Sequence, residues 1–352
     1  MRRVYLVRHG HPDFPLDAHM CLGRTDTPLG PLGRMQAVLL GEKAQDAILT
    51  AVFCSPLIRC RETAAPLGLA PTIVPALAEQ DMGPWDGLDF DTIRRDWPEL
   101  YARREREALL VPPGAETLEQ VSARVLPAFR ACLAQSQGDI AVVAHASVIQ
   151  AILAELTGTP LEESRSLRPP YGSYAVLEGE PLTVSKLEQL PRPQICPGLA
   201  RKLLAAAAPG ERVEAHCRAV AAEAERIAFS LILRYDMRQL LSAALLHDVA
   251  RKEKDHAAVG ARWLWDLGYR DIAGLILEHH DLKGDGMDEH AILYMADKCI
   301  LEDRRVTLSE RFAASESRCT TPEARAAHAA RRDAAFRMRD RINELHGSTL
   351  IE

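Results

Sequence analysis

Short apolar, β-branched runs alternate with longer amphipathic stretches through the first half of the chain, and beyond it helical spacing dominates. "RVYLVR", "AVFCS", "IAVVAH" and "SYAVLE" read as strands, and stretches such as "TLEQVSARVLPAFRACLAQ" between them read as helices. This alternation predicts an α/β domain over residues 1–187, with a mostly parallel sheet flanked by helices. Pro191, Pro193 and Pro197 interrupt "EQLPRPQICPG", so residues 188–197 read as a linker. After it, "GLARKLLAAAA", "ERVEAHCRAVAAEAERIAFSLI" and "MRQLLSAALLHDVAR" predict an all-α domain over 198–305. Residues 306–352 are polar and rich in Arg and Ala, and read as a tail that is a long helix or a partly mobile end. No repeat links the two halves.

Composition narrows the function classes. The 352 residues are 47% hydrophobic and 26% charged, enough to build two cores. A net charge of -6 argues against a nucleic-acid partner gripped through bulk positive charge. No run of 18 apolar residues appears, so no membrane span is expected. "MRRVYLVRHG" has too short an apolar stretch for a signal peptide. The 8 cysteines form no C-x-x-C pair, and several lie in apolar surroundings. They read as buried free thiols in a reducing compartment, which predicts a cytoplasmic protein.

In "VYLVRHGHPDF" a strand ends on Arg8 and His9, where open α/β sheets tend to bind ligands. "DIAVVAHASVIQAILAEL" repeats the logic, with His145 at a strand end before a helix. "VFCSPLIRCRETA" offers Arg59 and Arg61, and "ALAEQDMGPWDGL" offers Glu79 in a turn-rich loop. Converged, these groups suit phosphoryl transfer through a phosphohistidine. A neutral imidazole attacks phosphorus, fixed cations neutralise the oxygens, and an acid protonates the leaving group. No cofactor is needed there.

"LVRHG", "GRTDTPLGPLG", "CSPLIRCRETA", "LAEQDMGPWDGL" and "VVAHASVIQA", in this order, resemble the histidine phosphatase (phosphoglycerate mutase-like) superfamily. The resemblance implies His9 as the phosphorylated nucleophile and Glu79 as proton donor and acceptor. It implies a phosphate pocket of Arg8, Arg59 and His145, with Thr25 as a further polar contact. Arg61 reads as a solvated helix charge. The loop after Glu79 resembles the short form of broad phosphatases and α-ribazole phosphatase-like enzymes, which implies hydrolysis over mutase activity. Two positions depart from the family pattern: His11, where many members have Glu or Gln, and Ala146-Ser147, where glycines are common.

The helical half carries His216, His247-Asp248, His256, His279-His280 and Asp297 on successive apolar helices. Polar groups on core faces need partners, and imidazole with carboxylate suits a divalent ion. The order H…HD…D, in His216, His247, Asp248 and Asp297, resembles the HD superfamily of metal-dependent phosphohydrolases. The segment from His256 to Arg304 resembles its diadenosine tetraphosphate-hydrolysing subgroup, which implies His256 and His279 as ligands of a second metal. His280 is a weaker candidate, and Lys252 is a phosphate contact or an exposed base. His290, His328 and His346 lie outside the pattern.

These readings predict a bifunctional phosphohydrolase of small phosphorylated metabolites or nucleotides. The HD half would need Fe, Mn, Ni, Co, Zn or Mg, and dinucleoside polyphosphates are one substrate class for it. Two alternatives stay open. One half could be a nucleotide-binding regulator of the other, or the first half could be a phosphomutase. Oligomeric state is not legible.

Overall fold

The computed structural model describes all residues except Met1, Glu105, Ala108, Asp285 and Arg318. It divides into two compact units, Met1–Pro193 and Gln194–Glu352.

Unit 1 has the strands β1 (Arg3–Arg8), β2 (Met20–Cys21), β3 (Leu49–Cys54), β4 (Thr72–Ile73), β5 (Leu88–Asp89), β6 (Asp139–Ala144), β7 (Tyr174–Glu178) and β8 (Thr183–Gln189). Its helices are α1 (Pro31–Ala44), α2 (Ile58–Ala64), α3 (Phe90–Asp96), α4 (Pro98–Arg104), α5 (Leu118–Ala134) and α6 (Ala146–Thr157). The main sheet has the order β4-β3-β6-β1-β7-β8. Neighbours from β4 to β1 pair in parallel, whereas β7 and β8 add antiparallel strands at one edge. Alternate side chains feed two layers, as a period of two requires. Val4, Leu6, Ile140 and Val142 pack with Val121, Val125 and Phe129 of α5 and Val148 and Ile152 of α6. Val7, Val52, Ala141 and Val143 pack on the other face with Leu40 of α1 and Cys60 and Ala64 of α2. Burial on both faces explains why these strands are continuous apolar runs.

Unit 2 has the helices α7 (Pro197–Ala207), α8 (Glu211–Ser230), α9 (Met237–Leu246), α10 (His256–Asp266), α11 (Arg270–Leu277), α12 (Glu289–Lys298), α13 (Leu308–Glu316) and α14 (Pro322–His346). A short antiparallel hairpin, β9 (Ile300–Leu301) with β10 (Arg304–Arg305), interrupts the helices. Two-residue strands carry no periodic signal, so this hairpin was not legible in the sequence. Helix α14 buries Ala335, Met338 and Ile342. The end of the chain is held too: Asn343 bonds both backbone amides of Leu350 and Ile351, and Ile351 is buried. No described helix is long and apolar enough to cross a membrane.

The loop after β1 lies directly against the start of α1. The Gly30 amide donates to the His11 carbonyl at 3.0 Å. A Cβ on Gly33 would collide with that carbonyl, and one on Gly10 would collide with the Gly33 backbone. Both glycines are needed for the close approach, not for an unusual φ. Gly33→Ala should therefore cost about 1–3 kcal/mol of stability and lower the activity of unit 1. Denaturant unfolding checks this; an unchanged midpoint would mean that the His9 loop yields freely.

Candidate functional sites

In unit 1, β1 and β6 pair with Arg8 opposite Ala144, so the next residue on each strand, His9 and His145, leaves the sheet at the same edge. Their ring centroids are 5.0 Å apart. Both are buried. His9 Nδ1–H donates to the Gly10 carbonyl at 2.7 Å, which leaves the Nε2 lone pair free. Burial, with the positive charges of Arg59 and Arg8, holds the His9 pKa well below the usual histidine value. Burial does the same for His145, with His9 and both arginines adding to it. Both imidazoles are thus neutral.

Arg59 is 1% exposed. Its Nη1 and Nη2 donate to the Thr25 and Gly23 carbonyls at 2.8 and 2.7 Å, and its Nε is buried with no partner among the described residues. Arg8 donates to the Pro169 carbonyl and stacks 3.8 Å from the Tyr171 ring centroid, and its Nε is likewise orphaned. A buried and a half-buried guanidinium, each with a spare buried donor, form an arrangement that can hold an oxyanion. Glu79 is buried, and its Oε1 accepts from the Gln80 amide at 2.9 Å. Its charge acts on Arg8.

Thr25 is exposed, and its backbone rather than its hydroxyl is engaged: the carbonyl holds Arg59 and the amide binds Asp86. Arg61 is exposed. His11 is buried beside Tyr171 and Phe14, with Nδ1–H given to the Pro12 carbonyl. Ser147 donates to Gln80 Oε1 at 3.0 Å, so a side chain at this position is used in packing the Glu79 loop. Three neighbours were not singled out in the sequence. Ser55 Oγ lies 2.7 Å from His145 Nε2, Tyr171 stacks on Arg8, and Arg168 feels the charge of Glu79. "CSP", at the end of β3, was the available signal for Ser55; Tyr171 and Arg168 had none.

In unit 2 the candidate ligands sit at or near helix ends. His216 is on α8, His247 and Asp248 follow α9, His256 opens α10, His279 and His280 follow α11, and Asp297 is near the end of α12. The ligand atoms of His247, Asp248 and His279 lie within 4.8 Å of one another, and so do those of His216, His247 and Asp297. A third set joins His256, His279 and His280, which brings His280 into the cluster. Three histidines spend Nδ1–H on backbone carbonyls: His216 on Glu302, His247 on Ala244 and His279 on Ile276, at 2.7, 2.8 and 2.6 Å. That leaves the Nε2 lone pairs of His247 and His279 facing the cluster, whereas His216 Nε2 lies 3.2 Å from Asp297 Oδ1 and is hydrogen-bonded to it. His247 Nε2, His279 Nε2 and Asp248 Oδ1 are buried and without hydrogen bonds among the described residues. His256 Nε2 is 3.1 Å from that same oxygen, without hydrogen-bonding alignment.

Orphaned buried lone pairs cost about 1–3 kcal/mol each, and a divalent cation is the partner that satisfies all of them. The residues present therefore fit a metal. Lys298, not singled out earlier, is buried and donates to Asp297 Oδ2 at 2.7 Å and to the His279 carbonyl at 3.2 Å. It occupies one carboxylate oxygen and leaves Oδ1 toward His216 and His247. Lys252 donates to the Ala208 carbonyl. His290, His328 and His346 pair locally with Glu278, Ser315 and Ser348.

Paired strand-end imidazoles beside two guanidiniums, and a separate helical nest of imidazoles and carboxylates, suit phosphohydrolase chemistry. Comparison with known families agrees: residues 4–186 match the histidine phosphatase superfamily (branch 1) and residues 213–330 match the HD domain. The chain belongs to the histidine phosphatase superfamily and carries an HD domain after it. A probable phosphoglycerate mutase GpmB of Salmonella choleraesuis (strain SC-B67) is 29% identical over 176 residues, 48% of this chain and 80% of that protein. Mycobacterial hydrolase 2 overlays at a TM-score of 0.50 with 27% identity, over 59% of this chain and 97% of its own. The mycobacterial glucosyl-3-phosphoglycerate phosphatase does so at 0.49 with 27% identity, over 53% and 98%. Histidine phosphatase and HD domains are phosphohydrolases, and HD domains depend on metal; the protein is an enzyme acting on phosphate esters.

The two neutral histidines of unit 1 have a consequence for stability. An unfolded histidine takes up a proton near pH 6.5, whereas folded His9 and His145 stay neutral well below it. Below pH 6.5 the unfolded chain therefore binds more protons, and stability falls with pH by about 1.4 kcal/mol per pH unit for each histidine. Urea unfolding between pH 7.5 and 5 should show a shallower slope for His145→Asn than for wild type. Equal slopes would place a protonated imidazole at position 145.

Proposed function

We propose that the chain is a bifunctional phosphohydrolase. Unit 1 is a metal-independent phosphomonoesterase working through phosphohistidine, and unit 2 is a metal-dependent phosphohydrolase of nucleotides or dinucleoside polyphosphates. The observation that carries the first half is the His9 tautomer: Nδ1–H is tied to the Gly10 carbonyl, and Nε2 is free among Arg8, Arg59 and His145.

In unit 1, His9 Nε2 attacks phosphorus and the bond to the leaving oxygen breaks. Arg8, Arg59 and His145 hold the phosphoryl oxygens as charge redistributes. Glu79 gives a proton to the leaving oxygen, and then takes one from the water that attacks the phosphohistidine. Phosphate leaves and His9 is restored. Ser55 fixes the His145 ring, and Tyr171 fixes the plane of the Arg8 guanidinium.

In unit 2, His216, His247, Asp248, His256, His279 and Asp297 hold the metal, with His280 beside them. A divalent ion there supplies Lewis acidity toward a phosphoryl group and a water. The donors are mostly imidazole nitrogens, which favours Fe, Co, Ni or Zn over Mg, and the two carboxylates also suit Mn. The backbone carbonyls behind His216, His247 and His279 keep these rings oriented, and Lys298 keeps Asp297 turned toward them.

A mutase reading of unit 1 has one observation in its favour, the mutase name of the Salmonella relative. One experiment separates the readings. Phosphate release from phosphomonoesters and dinucleoside polyphosphates is measured for wild type, His9→Ala and Asp248→Ala, with EDTA or with added metal. His9→Ala should lower only EDTA-resistant release, by at least about a thousandfold, and Asp248→Ala only metal-dependent release. Either substitution silencing both activities would favour regulation of one unit by the other. Phosphate moved between substrate positions without net release would favour the mutase.

A further inference from the structure

Unit 1 has a cavity of about 160 Å³ between the end of α1 and the strands β1, β7 and β8, and no residue of the phosphate pocket lines it. Val7, Leu40 and Val176 give it an apolar floor, and it is hollow where the small side chains of Ala44, Ala47 and Ala141 stand. Two rings wall it. Tyr5 and Tyr174 have centroids 6.1 Å apart and planes inclined by 55°. Tyr174 is 8% exposed, and its hydroxyl has no hydrogen-bond partner among the described residues. Burial raises the pKa of both phenols, so each stays a neutral donor and acceptor.

The charged residues that line the cavity balance. Lys43 Nζ lies 2.7 Å from Asp46 Oδ2, and Arg3 is held by Asp139 at 2.8 Å. Lys186 and Glu178 also line it, on the adjacent antiparallel strands β8 and β7, and form no ion pair among the described residues. An ionic ligand would meet one of these two with like charge, which costs affinity. A neutral ligand meets a donor and an acceptor. Size sets a further limit: an engineered cavity of about 150 Å³ in another protein takes benzene, so a single six-membered ring fits here. The cavity shares two strands with the phosphate pocket. Val7 precedes Arg8, Tyr174 follows Ser173, and the Arg8 amide donates to the Ser173 carbonyl at 2.9 Å.

We infer that this cavity is a binding site, separate from the phosphate pocket, for a small neutral aromatic molecule. The ligand class is a single ring that carries a hydrogen-bonding group such as a carboxamide on its edge. The ring lies on the apolar floor and meets Tyr5 and Tyr174 in the tilted or offset arrangements that aromatic pairs prefer. The polar edge meets the Tyr174 hydroxyl, which is otherwise unpartnered. A few fixed polar groups in a mostly apolar hollow are the usual make-up of a small-molecule site. The inference stands apart from the phosphomonoesterase reading, because it uses none of the residues of that reaction.

The test uses three probes of one size, 4-fluorobenzamide, 4-fluorobenzoate and 4-fluorobenzylamine, titrated against the full chain in EDTA with binding read by fluorine NMR. Wild type should bind the amide saturably with a Kd of about 1 mM or tighter, and the two ions at least about tenfold more weakly. Benzamide should displace the probe, whereas cyclohexanecarboxamide and inorganic phosphate should not. Ala44→Leu fills the hollow and should weaken the amide by about tenfold or more. Tyr174→Phe removes one hydroxyl and should weaken it by about fivefold. If Ala44→Leu fails to fold, Tyr174→Phe still reads the site, because it leaves the ring in place. No saturable binding of the amide, tighter binding of either ion, or equal displacement by the saturated amide would overturn the inference. Displacement by phosphate, or an affinity that both variants leave unchanged, would place the probe elsewhere and overturn it too.

Discussion

The register of β1 against β6 sets the chemistry of unit 1. With Arg8 opposite Ala144, His9 and His145 leave adjacent parallel strands side by side, and their rings meet edge to face. A slip by one residue would turn alternate side chains to the opposite face of the sheet and separate the two rings. The register is held by the burial of both sheet faces. Val4 and Leu6 must meet one helix layer and Val7 the other. The same tight geometry requires glycine at 10 and 33, because the His9 loop and the first turn of α1 share the space a Cβ would occupy. Core packing and the geometry of the His9–His145 pair are thus one constraint.

Both units use a common device. An imidazole gives Nδ1–H to a backbone carbonyl, so that Nε2 keeps its lone pair and points where chemistry is wanted. His9 does this with Gly10, and His247 and His279 do it with Ala244 and Ile276. What the lone pair meets differs. In unit 1 burial, with the positive charges of Arg59 and Arg8 adding to it, keeps the imidazole neutral. In unit 2 the surroundings are anionic. Asp248 and Asp297 are both held well below the usual carboxylate range, against the opposing effect of burial, by histidines and by Lys298 for Asp297. Neutral nitrogen and charged oxygen together make a cation site.

Legibility in the sequence followed from how local each signal is. β1 and β6 were visible as apolar runs because both faces are buried, and His9 and His145 were visible because they terminate those runs. The HD cluster was visible because polar residues on apolar helices need a partner. β9 and β10 were too short to show a period. The function of Thr25 as a backbone rest for Arg59, and the contacts of Tyr171, Arg168 and Lys298, depend on segments far apart in the chain. Arg168 meets Ser147 only after the chain has run through α6 and a turn. No spacing rule announces such a contact. The C-terminal segment also became clear only in three dimensions. A mostly polar helix, α14, contributes a thin stripe of buried residues, and the last residues are pinned through Asn343.

The central claim is that His9 Nε2 forms a bond to phosphorus during turnover. Rapid acid-free quenching of the full chain with a phosphomonoester in EDTA, followed by peptide mass spectrometry, tests it directly. The expected result is an acid-labile, alkali-stable phosphate on the peptide that contains His9, absent in His9→Ala. Phosphate on a different residue, or turnover at full rate with no phosphoenzyme, would contradict the account.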